Sequence, residues 1–64
     1  MPKLTEYELS YICYYSERVD LTNIAAGFGP KLKSKEITPL LEELRKKNIF
    51  EFYKNSYKEL LEEN

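Results

Sequence analysis

The chain has 64 residues, with ten basic and eleven acidic side chains, no histidine and one cysteine. A length of 64 bounds it to one domain, near the lower limit for a fold held by its own core. Without histidine there is no imidazole base and no His-ligated metal; with Cys13 alone there is no internal disulfide and no multi-thiolate cluster.

A first helix is expected over residues 5–18. Thr5-Glu6-Tyr7-Glu8 is a capping box, and Leu4 with Leu9 can form a hydrophobic staple. Leu9, Ile12, Ser16 and Val19 share one face, and Tyr7, Tyr11 and Tyr14 form a stripe beside it. A second helix is expected over 22–28, capped by Thr22 or by Asp20, and ended by Gly27, Gly29 and Pro30. A third is expected over 34–47, capped by Ser34, or starting at Thr38 with Pro39 as its first helical residue. Its core face is Ile37, Leu40, Leu41 and Leu44, and Asn48 can take the left-handed position after it. Residues 49–54, Ile49-Phe50-Glu51-Phe52-Tyr53-Lys54, read as a strand by residue type and partial alternation. Residues 56–63 follow, where a second capping box at Ser56-Tyr57-Lys58-Glu59 favours a short helix and a hairpin turning at Asn55-Ser56 is the rival.

Hydrophobic residues at 42% and charged residues at 33% fit a mostly helical globular domain. The longest apolar-looking run, Tyr11 to Tyr15, is far too short to span a membrane, and the first residues lack a signal-peptide stretch. The expectation is a cytoplasmic protein with no membrane contact, no metal and no cofactor, whose Cys13 stays a thiol. An enzyme is not expected. Gly27-Phe28-Gly29 lacks the further glycines and the strand of a phosphate loop, and the paired glutamates lie on helix surfaces without a cleft.

A long helix, a short helix, a Gly-containing turn, a helix with lysines at its start and then a strand is the plan of a winged helix-turn-helix. The expected fold class is therefore mostly α with a small β component, three helices and a reduced wing. The run Glu36-Ile37-Thr38-Pro39-Leu40-Leu41-Glu42-Glu43-Leu44-Arg45-Lys46-Lys47-Asn48-Ile49-Phe50 resembles the DNA-binding core of MarR-type transcriptional regulators, without their dimerisation helices. Asn48 stands where that family commonly has glycine. The resemblance reaches back to Leu21 and implies a recognition helix over Ser34–Lys47 that enters the DNA major groove.

The net charge of −1 divides unevenly: −2 over residues 1–28, +3 over 29–54 and −2 over 55–64. The positive part holds that third helix. Lys31, Lys33, Ser34 and Lys35 cluster at its start, where cations and free backbone amides can meet phosphate. Lys35, Thr38, Pro39, Glu42 and Lys46 lie opposite its core face, and Lys54 is a candidate backbone contact from the wing. The expected function is a small transcriptional regulator binding double-stranded DNA as a homodimer, of a size that suits a phage, plasmid or virus. The alternative is a protein-binding module of the same fold, an adaptor or an inhibitor of a host enzyme. The Tyr7, Tyr11 and Tyr14 stripe serves either packing under the C-terminal segment or a subunit interface.

Overall fold

The computed structural model describes residues 3–63, and among them there are four α-helices and no strand. The order is α1 (Glu6–Tyr15), α2 (Leu21–Phe28), a 3₁₀ turn (Gly29–Lys31), α3 (Ser34–Lys46) and α4 (Phe50–Glu62).

The helix starts and stops are local chemistry. At α1 the Thr5 hydroxyl accepts from the Glu8 N–H at 3.1 Å and Glu8 accepts from the Thr5 N–H at 2.9 Å, a full capping box. The helix stops at Tyr15 rather than Arg18, because the Ser16 hydroxyl bonds back to the Cys13 carbonyl and residues 16–18 form a turn. Val19, expected on the core face, is therefore past the helix and exposed. Asp20, not Thr22, occupies the α2 cap position. Gly29 ends α2 at φ 62°, in the left-handed region that a residue with a Cβ enters only at a cost.

Helix α3 begins at Ser34, which is its first helical residue, with Lys33 in the cap position. Glu36 accepts from the Lys33 N–H at 2.8 Å, and the Glu36 N–H donates to the Lys33 carbonyl. Pro39 falls inside the helix, so the Lys35 carbonyl has no N–H to accept from it. Burial of Ile37, Leu40, Leu41 and Leu44 outweighs that missing bond.

Asn48 follows at φ 59°. Its N–H donates to the Arg45 carbonyl and the Ile49 N–H to the Leu44 carbonyl, a Schellman stop in which Ile49 packs back on the core. A residue in the left-handed region is what this corner demands, and asparagine meets it.

The expected strand at 49–54, and with it the winged helix and the MarR-type architecture, is wrong. Residues Phe50 to Lys54 are the first turns of α4, and the proposed terminal helix is its second half. The packing shows why. A strand would put Phe50 and Phe52 on the same face. Phe50 is 4% exposed and Phe52 64% exposed, while Phe50 and Tyr57 are buried together at helical spacing. Ser56 is not a cap either: its hydroxyl donates to the Phe52 carbonyl at 2.8 Å, one turn back along α4.

Helix α1 packs mainly on α4, α2 packs on α3, and α3 touches α4. Lys54 meets Glu17, whereas Tyr57, further along α4, meets Tyr7 and Tyr11, so α1 and α4 run antiparallel. The core joins Ile12 and Cys13 of α1, Ile24 and Ala25 of α2, Leu32 just after the turn, the four α3 residues and Phe50 of α4. Each large apolar side chain fully buried this way contributes about 1.5–3 kcal/mol. Ala25 is a small buried α2 residue of this core, and α3 is held with Ile37, Leu40, Leu41 and Leu44 inward and its other face free.

Candidate nucleic-acid interface

The outward face of α3 follows from its inward one. With Ile37, Leu40, Leu41 and Leu44 buried, the 100° step per residue leaves Lys35, Thr38, Pro39, Glu42 and Lys46 exposed on a single ridge. Lys33 is exposed just before the helix, and Ser34 is half-buried at its first turn. Pro39, Glu42, Glu43, Arg45 and Lys46 line an open depression of about 720 Å³ on this side.

The structure sorts the sequence candidates into two groups. Lys33, Lys35 and Lys46 make no ion pair among the described residues. Lys31 and Lys54 are engaged. Lys31 Nζ donates to Glu8 Oε2 at 2.7 Å and to Oε1 at 2.9 Å. Lys54 Nζ lies 3.0 Å from Glu51 and 3.3 Å from Glu17, and it points along α4 rather than from a wing. Hydrogen bonds to Glu51 and Glu17 hold its ammonium above the usual lysine range. Both lysines tie the fold together, Lys31 joining the turn before α3 to the α1 cap and Lys54 joining α4 to the turn that follows α1.

Sequence reasoning missed those carboxylate partners. Glu8 is 23 residues from Lys31 and Glu17 is 37 residues from Lys54, so no local spacing rule connects them. It also missed three cations on aromatic faces: Arg45 sits 4.3 Å and Lys54 Nζ 5.9 Å from the Phe50 ring centre, and Arg18 sits 4.1 Å from that of Tyr14. Arg45 is thus partly committed to the α3–α4 corner.

The Glu8 carboxyl is held below the ordinary glutamate range, first by the hydrogen bond from Lys31 and next by the Thr5 N–H. A carboxylate with a lowered folded value stabilises the fold above the ordinary glutamate value and loses that effect as pH falls through the lowered one. Thermal melts of the wild type should therefore shift downward on acidification through this window. Melts of Glu8→Gln should show a smaller acid shift, and identical shifts in both proteins would show that Glu8 does not govern the acid response.

The tyrosines Tyr7, Tyr11 and Tyr14 all meet Tyr57 of α4, with ring centroids 5.8, 5.7 and 5.2 Å away. Tyr15 joins them at 5.6 Å. Most of the stripe is thus internal packing, while Tyr7 remains 59% exposed. Burial first, and then hydrogen bonding with Tyr7 and Tyr15, pushes the Tyr57 phenol well above its usual range. Cys13 lies at the centre of the core, and burial raises its thiol to about 11, so it is a neutral packing group at ordinary pH. Among the described residues no group of His, Cys, Asp or Glu is placed to hold a metal ion, and no helix is long and apolar enough to cross a membrane.

Comparison with family models, with curated proteins and with solved structures gives no match to this chain.

Proposed function

We propose that this protein binds double-stranded DNA through the exposed ridge of α3, as a homodimer acting on transcription. One observation carries the reading. α3 is anchored on its apolar face and presents Lys35, Thr38, Pro39, Glu42 and Lys46 outward, with Lys33 at its start and no ion pair on any of the three lysines among the described residues. In helix-turn-helix domains a helix of this kind, preceded by a shorter helix packed against it, is the one that reads the major groove, and that arrangement needs no wing. The lysines neutralise phosphates, and the residues between them face base edges.

The dimer follows from scale. Three unpaired lysines on the α3 side of each chain supply few phosphate contacts, and two copies double them on a two-fold site.

A protein-binding role is the second reading. It is favoured by Phe52, exposed at 64%, and by the pairing of Lys31 and Lys54 with carboxylates, which lowers the cationic field. Titration onto random-sequence duplex DNA over a range of salt separates the two. DNA binding predicts log K falling against log[salt] with a slope of about −3 to −6. No retention of duplex at low salt would leave the protein-binding reading.

A further inference from the structure

We infer that Glu42 sets the base preference of the α3 ridge and that its target is the exocyclic amine of cytosine in the major groove. This rests on the DNA-binding reading above.

Helix α3 carries three glutamates, and two are committed. Glu36 accepts from the Lys33 N–H at 2.8 Å, and Glu43 lies 3.5 Å from Lys47. Glu42 is exposed and has neither a hydrogen bond nor an ion pair among the described residues, although Lys46 stands four residues further on. It therefore sits open at the middle of the ridge, between Lys35 and Lys46.

At 1.5 Å per residue those two lysines are about 16 Å apart along the helix axis. The major groove admits an α-helix lying in it. With α3 placed there, the lysines at the two ends of the ridge extend to flanking phosphates while Thr38, Pro39 and Glu42 face the base pairs. A carboxylate there is repelled by the phosphates and by every acceptor on the base edges. Guanine offers N7 and O6, and thymine offers O4. Adenine offers an amine beside the N7 acceptor. Cytosine offers its amine with no acceptor of its own beside it, so it relieves the carboxylate best. Thr38, one turn earlier on the same ridge, is placed to touch a neighbouring base, a thymine methyl included.

The test selects duplexes of about 20 base pairs with a randomised core by binding to the wild type, to Glu42→Gln and to Glu42→Ala. Circular dichroism of each protein first confirms the same helix content. The wild type should enrich cytosine at one position of the half-site. Glu42→Gln should move that preference to adenine, whose N6 and N7 match an amide. Glu42→Ala should discriminate at that position at least about fivefold less, while binding the unselected pool as tightly as the wild type or more tightly. The same preferred base in all three proteins, or no cytosine enriched by the wild type, overturns the inference and leaves DNA binding standing. Failure of the wild type to retain any duplex at low salt overturns both.

Discussion

Ile37→Ala should cost about 2–5 kcal/mol of folding stability, the range for removing three methyl-sized groups from a packed core. A domain of 64 residues has only about 3–10 kcal/mol to lose. Ile37 is fully buried and lies in the first turns of α3, so its loss loosens the one face that aims the ridge outward. Urea titration followed by circular dichroism measures the effect. The variant should show a midpoint far below that of the wild type, or no folded baseline at all. A shift of less than about 1 kcal/mol would mean that α3 is not seated on this core. DNA affinity should fall in the same variant only in proportion to the fraction unfolded, since Ile37 makes no contact with a ligand on the opposite face.

The second large effect is electrostatic and leaves the fold intact. On the proposed DNA-binding role, Lys35→Glu removes one phosphate contact and adds repulsion. It should lower affinity for duplex DNA at low salt by about tenfold or more, and Lys33→Glu should do the same. Each change should also reduce the salt slope by about one for every phosphate that a subunit no longer neutralises. Lys54→Gln is the contrast. Its ammonium already lies between Glu51 and Glu17, so the salt slope should stay as in the wild type while the α1–α4 pair loosens. Equal reductions of slope for Lys35 and Lys54 would show a diffuse cationic attraction instead of a defined ridge. Lys33 and Lys35 are exposed and Lys54 is half-buried, so melting curves should report folded protein for all three variants.

Much of this architecture is legible in the sequence because its signals are local. Thr5 and Glu8 are three residues apart and cap each other. Asn48 takes the left-handed turn where a helix must stop. Ile37, Leu40, Leu41 and Leu44 announce a helix face, and the outward ridge follows from it by geometry alone.

The fourth helix is where the local signal misleads. Ile49, Phe50, Phe52 and Tyr53 have the side chains that sheets prefer, and the Phe50–Phe52 spacing imitates alternation. What decides the matter is tertiary. Phe50 and Tyr57, seven residues apart, both find cover against the rest of the domain, Tyr57 among four tyrosines of α1. Only a helix brings those two to one face. Phe52 is left exposed, which a strand on the same core would not have done. Ser56 likewise carries a capping pattern but bonds its own helix one turn back.

The candidate ridge is thus readable, but its limits are not. Lys31 and Lys54 look like phosphate ligands by charge and position. The fold brings Glu8 and Glu17 to them from far along the chain and turns both lysines into struts. That narrows the cationic face to Lys33, Lys35 and Lys46 and places Glu42 at its centre.

Titration of a random-sequence 16-base-pair duplex into the isotopically labelled protein, followed through its backbone amide resonances, tests the proposed interface residue by residue. The perturbed amides should cluster at Lys33, Lys35, Thr38, Glu42 and Lys46, with α1 and the far end of α4 unmoved. No perturbation at low salt, or perturbation centred on Tyr7 and Phe52 in place of α3, would contradict DNA binding through this ridge.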